Sequence, residues 1–125
     1  MPKSVPALPN VPAPRAPYSA AVEADGLVFI SGQVGYDPES GLPLETVDQT
    51  RLAMERIGVI LGDLGLGFGD LVKTTVFLID ISEFSSVNEV YGSFFDGEPP
   101  ARSTFQVAAL PRPQLRVEIE AIAVR

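Results

Sequence analysis

The sequence predicts a single α+β domain with the element order ββαβαββ, a mixed sheet with two helices on one of its faces. Three observations carry that expectation. Five runs are rich in β-branched and aromatic residues, two longer stretches repeat apolar residues at helical period, and clusters of Gly, Pro and Asp mark the joins. At 125 residues the chain fits one domain of the usual ~100–200 and can bury a core without staples.

Residues 1–17 contain Pro2, Pro6, Pro9, Pro12, Pro14 and Pro17. Each fixes φ and lacks an amide donor, so this segment reads as an extended arm, disordered before Val11, with residues 18–125 as the domain proper. Residues 18–23 and 27–33 are two strands joined through Ala24-Asp25-Gly26, because Asp-Gly between β-prone runs is a strong hairpin signal. Residues 34–44, with Gly35, Asp37-Pro38, Gly41 and Pro43, form a loop. A helix opens at Thr46, where Thr46 and Gln49 have capping-box spacing. It presents Ala53, Ile57, Ile60, Leu61 and Leu64 on one face and is closed by Gly65. Residues 72–79 make a third strand, apolar or β-branched almost throughout and so expected to be buried on both faces. A second helix follows Ser82 with Phe84, Val87, Tyr91 and Phe94 on its inner face, and Gly97, Pro99 and Pro100 end it. Residues 103–108 and 115–124 supply the last two strands.

Two helices cover one face of such a sheet and leave the other open. In the last strand Val117, Ile119, Ala121 and Ala123 point to the helices, while Glu118, Glu120, Ile122 and Val124 point away, as do Lys73, Thr75, Phe77 and Ile79 of the third. A partly apolar open face predicts a homo-oligomer.

Composition narrows the chemistry. The chain has no Cys, no His and no Trp, which excludes disulfides, thiolate nucleophiles, imidazole bases and Cys- or His-ligated metals. Nine Lys plus Arg against sixteen Asp plus Glu, net −7, argue against a nucleic-acid partner. No apolar run approaches the ~20 residues that span a bilayer, and no leader-like segment is evident, so a cytoplasmic location without membrane contact is expected.

Several residues remain as candidates for a site. Arg102 follows the rigid Pro99-Pro100 pair at the mouth of a strand, which suits a planar fork clamping a carboxylate; a structural ion pair with an Asp or Glu is the alternative. Glu118 and Glu120 share a strand face, and one of them beside Arg102 would supply an acid/base group, unless both are simply solvated. Tyr18 offers a phenol or an aromatic lid at the end of the arm, or packs at a strand start. Ser31-Gly32-Gln33 places a small polar residue and bare backbone at a strand end, where a ligand can approach closely. Phe84 joins the substrate-binding candidates. Gly65, Gly67 and Gly69 follow a helix instead of opening one, so they are not a phosphate loop. Asn88 and Lys73 have stronger structural than functional readings.

Six segments then line up in order and spacing: Ala16-Pro17-Tyr18-Ser19; Ala24-Asp25-Gly26 through Ser31-Gly32-Gln33; Asp70-Leu71-Val72-Lys73-Thr74-Thr75; Val87-Asn88-Glu89-Val90-Tyr91-Gly92; Pro100-Ala101-Arg102-Ser103-Thr104; and Val117-Glu118-Ile119-Glu120. Together they resemble the Rid family of reactive intermediate deaminases over residues 17–125. The resemblance implies a chorismate-mutase-like subunit, a homotrimer whose sheets line a central barrel, and clefts between subunits. It also implies hydrolysis of 2-aminoacrylate and related enamine or imine acids to 2-keto acids and ammonia, with no metal or organic cofactor. In that resemblance Arg102 binds the substrate carboxylate and Glu118 positions water. Tyr18 and Gly32 line the cleft, and Thr104 stands at a position that varies between Cys, Thr and small residues. Where the family has Gly-Pro-Tyr-Ser-Gln, this chain has Ala16-Pro17-Tyr18-Ser19-Ala20, a change at the cleft edge that bears on substrate range. A trimer that binds small carboxylic acids without turnover is the alternative function, and a ribonuclease a weaker one.

Overall fold

The computed structural model describes residues 2–125. Its elements run β1 (Ala21–Ala24), β2 (Leu27–Val34), α1 (Thr46–Asp63), β3 (Leu71–Leu78), α2 (Phe84–Gly92), β4 (Ala101–Gln106) and β5 (Val117–Val124). The ββαβαββ order is as expected. The strands form one mixed sheet in the order β1-β2-β5-β3-β4, in which only β3 and β4 run parallel. A parallel pair needs a crossover, and α2 supplies it.

The hairpin closes through Asp25 (φ 52°) and Gly26 (φ 80°), two left-handed residues that match the strand twist, so Ala24 faces Leu27. Helix α1 ends as expected, with Leu66 N–H donating to the Leu61 carbonyl at 2.8 Å and Gly65 N–H to that of Gly62 at 3.1 Å. Its start differs. Glu45 is the N-cap and no side chain caps it. The Thr46 hydroxyl instead donates to Glu83 Oε2 at 2.7 Å, and Gln49, fully buried, donates to the Pro43 and Gln114 carbonyls and accepts from Arg116 N–H. Tertiary partners have taken both side chains away from the capping role.

Val28, Ile30, Val76, Leu78, Val117, Ile119, Ala121 and Ala123 of the sheet pack with Ala53, Met54, Ile57, Ile60 and Leu61 of α1 and Val87 and Tyr91 of α2. Full burial of each large aliphatic contributes about 1.5–3 kcal/mol. Phe84, at the start of α2, is 38% exposed and is not part of this core. The other face of the sheet is open and carries three cross-strand rows: Val34, Glu118, Phe77 and Phe105; Glu120, Thr75 and Ser103; and Phe29, Ile122 and Lys73. Phe29 is 43% and Phe105 54% exposed there. β3 is therefore buried on one face only, and a bulge between Leu71 and Lys73 turns Val72 outward.

The arm is ordered where disorder was expected. Ser4 and Glu23 exchange two backbone hydrogen bonds at 2.9 Å, extending the sheet past β1, and Leu8 and Val11 pack against the core. Asn10 donates twice to the Asp63 carboxylate. Prolines forbid helix but not an edge strand, which needs only alternate donors.

Gln49→Leu keeps the volume and strips three backbone groups of their partner. Chemical denaturation should show a loss of about 2–4 kcal/mol, at ~1 kcal/mol or more per lost bond; an unchanged midpoint would show that these bonds do not organise the start of α1.

Candidate active site

Arg102 is the second residue of β4, one position inside the strand instead of at its mouth, because the parallel ladder with β3 begins at Ala101 opposite Lys73. Its ladder partner is the buried Thr74, so its side chain lies on the helix side of the sheet. There α2 presents Phe84, Asn88 and Tyr91, at spacings of four and three. The guanidinium carbon lies 5.4 Å from the Phe84 ring centre and 5.0 Å from that of Tyr91, and Nη1 donates to Asn88 Oδ1 at 2.7 Å. Tyr91 shares a 2.6 Å hydrogen bond with Thr74, and burial pushes its phenol above the ordinary tyrosine range, so it stays neutral beneath the cation. Among the described residues no carboxylate forms an ion pair with Arg102. The structural ion pair is thus not what holds this side chain. Two residues on, Thr104 has its hydroxyl oxygen buried without a hydrogen-bond partner. A cavity of about 420 Å³ beside Arg102 is lined by Asn88, Tyr91, Gly92, Phe95, Gly97 and Pro99.

Glu118 lies elsewhere. It sits on the open face of β5 between Val34 and Phe77 of the neighbouring strands. Burial, then the nearby Glu120 carboxylate, push its carboxyl above the usual range. Gly32 lies directly under it, in the bulge between Ile30 and Gln33: a Cβ built at Gly32 would stand 2.0 Å from Glu118 Oε2. A side chain at Gly32 would displace the Glu118 carboxylate from this position. Tyr18, 54% exposed, precedes β1 instead of opening it, and its segment is held by the Ser31 hydroxyl, which donates to the Ser19 carbonyl at 2.6 Å. Ser31 therefore fixes Tyr18's backbone. Arg56 donates to the carbonyls of Val34 and Tyr36, which line the same cavity. Tyr18, Ser31, Gly32, Glu118 and Glu120 all line one cavity of about 660 Å³, within the ~300–1,000 Å³ of small-molecule sites.

The candidates thus fall into two groups on opposite faces of the sheet. Tyr18, Ser31, Gly32 and Glu118 come together, as do Arg102 and Phe84, with Thr104 two residues along β4 on the side of Arg102. A glutamate beside Arg102 within the same chain is not found. In the sequence Asn88 and Tyr91 read as structural, although Phe84, Asn88 and Tyr91 at i, i+4 and i+7 on one helical face is the signal that finds them.

A model of the family described as Endoribonuclease L-PSP matches residues 8–125. The chain belongs to this family, that of the Rid proteins. The crystal structure of the Rid-family protein YyfA from Yersinia pestis superposes with a TM-score of 0.89 and 38% identity over 99% of this chain and 100% of that one. That of E. coli TdcF with bound serine has a TM-score of 0.83 and 43% identity, covering 91% and 92%. The 2-iminobutanoate/2-iminopropanoate deaminase of Mus musculus is 50% identical over 118 residues, 93% of this chain and 87% of the relative. The Rid fold accounts for the two helices and five-stranded mixed sheet.

Glu120→Gln removes the like charge and should lower the Glu118 pKa toward the ordinary carboxylate range, seen as a carboxyl resonance titrating at lower pH. Titration unmoved by this change would mean that burial alone sets the shift.

Proposed function

We propose that this Rid protein hydrolyses reactive 2-imino and 2-enamino acids, such as 2-aminoacrylate, to 2-keto acids and ammonia, at clefts between the subunits of a homotrimer. The observation that carries this reading is Arg102: a guanidinium held between two aromatic rings, with one neutral acceptor and no acid partner among the described residues. Its remaining donors suit a ligand carboxylate. The mouse relative carries the name of such a deaminase, and E. coli TdcF binds serine, a small acid with nitrogen on C2.

Arg102 and Glu118 face opposite sides of one sheet, so one chain cannot apply both to a small substrate. A second copy laid on the open face supplies the missing partner, and the exposed Phe29 and Phe105 favour that contact. Three copies closing on each other's open faces would form a barrel and three clefts.

In the cleft, the Arg102 fork fixes the carboxylate and thereby C2 of the imine. Glu118 of the adjacent subunit takes a proton from water as its oxygen bonds to C2 of the protonated imine, giving a neutral carbinolamine. The same carboxyl returns that proton to nitrogen and then takes the hydroxyl proton as the C=O bond forms and the C–N bond breaks, so that ammonia leaves a 2-keto acid. The Thr104 hydroxyl, which lacks a partner, and backbone groups near Gly32 are the proposed partners of the groups that change. A raised Glu118 pKa strengthens it as a base, and such a group contributes ~10²–10⁴-fold. Because the base must be ionised, kcat/KM should fall as pH drops through that raised pKa, and Glu120→Gln should move this limb to lower pH.

Arg102→Ala should lower kcat/KM for imine hydrolysis by roughly 100-fold or more, the loss of two charge-assisted bonds, and Glu118→Gln should lower kcat. Mixing the two inactive variants as subunits should restore about a quarter of native activity, since that share of clefts regains both groups. No recovery on mixing would place both residues in one subunit's site or in none. Saturable keto-acid binding without accelerated hydrolysis would favour the non-catalytic acid-binding trimer.

A further inference from the structure

Two arginines line the Glu118 cavity and take no part in the chemistry above. Arg15 lies in Pro14-Arg15-Ala16-Pro17 and Arg112 in Pro111-Arg112-Pro113, and both face the cavity that holds Tyr18 and Glu118. Prolines flank both segments and fix φ there; Arg15 directly precedes a turn closed by Tyr18 N–H to the Ala16 carbonyl at 2.8 Å, and Arg112 opens one closed by Leu115 N–H to the Arg112 carbonyl at 3.1 Å. The two cations are carried on stiff backbone, which lowers the ordering cost of binding. Among the described residues neither forms an ion pair. Nor do they neutralise the reacting carboxylate: Glu118 is raised by burial and by Glu120, with no arginine lowering it. In a chain at net −7, these two unpaired cations balance the Glu118 and Glu120 carboxylates that line the same cavity.

We propose that Arg15 and Arg112 form a second anion subsite, and that the preferred substrates are 2-imino acids whose side chain ends in a second carboxylate. This rests on the deaminase reading and goes beyond it by naming the substrate class. Arg102 takes the carboxylate next to C2, while Arg15 and Arg112 take the distal one and offset the repulsion that Glu118 and Glu120 exert on a dianion.

The test compares 2-iminoglutarate with 2-iminobutanoate, each generated in place by an amino-acid oxidase. Hydrolysis is measured in competition with semicarbazide trapping. The native protein should prefer the dicarboxylate by roughly 10-fold in kcat/KM, mainly through KM, with the preference shrinking as salt rises. The double variant Arg15→Gln/Arg112→Gln should bring the ratio to about one through loss on the dicarboxylate. A native ratio near one, or a preference that survives the double substitution, overturns the subsite. Acceleration of neither imine overturns the deaminase reading itself.

Discussion

One geometric constraint governs this molecule: two helices cover a single face of a five-stranded sheet. α1 and α2 bury the inward residues of β2, β3 and β5, and what remains is a face with Phe29, Phe77, Phe105 and Ile122 among charged groups. The same constraint divides the site. Side chains alternate across a strand, so Arg102 points toward α2 while Glu118, two strands away, points to the uncovered face. The proposed oligomer and the proposed catalysis then share one cause, because a copy that covered the open face would also complete the cleft.

Electrostatics follow from this division. An acidic chain binds an acid only where its field is locally reversed, and Arg102 is kept available by neutral neighbours: two rings and an amide. An acidic partner in the same chain would have satisfied the fork and competed with substrate. Glu118 is handled the opposite way. Phe77 and Val34 beside it, and Glu120 two residues on, disfavour its charge, which makes it a stronger base than a solvated glutamate. Keeping the two on separate faces prevents the ion pair that would cancel both effects.

Much of this was legible in the residues. Asp25-Gly26 specified the hairpin, Gly65 the end of α1, and the alternation in residues 115–124 the open face. These signals are local, set by φ preference or by period, and need no partner. The capping role expected of Thr46 and Gln49 and the disorder expected of the arm both failed where a distant segment intervened. Glu83, Gln114 and Arg116 claimed the cap residues, and Glu23 paired with Ser4.

The sequence by itself determined the order of elements, the exposed face and the residue types available for chemistry: an arginine, two glutamates, hydroxyls and backbone. Only the tertiary structure decided which of them meet. It placed Asn88 and Tyr91 around Arg102, set Gly32 under Glu118, and separated the two charged groups by the thickness of a sheet. The physical reason is that strand order and parallel or antiparallel pairing are long-range choices. β5 inserts between β2 and β3, and no local pattern in residues 101–125 encodes that neighbourhood.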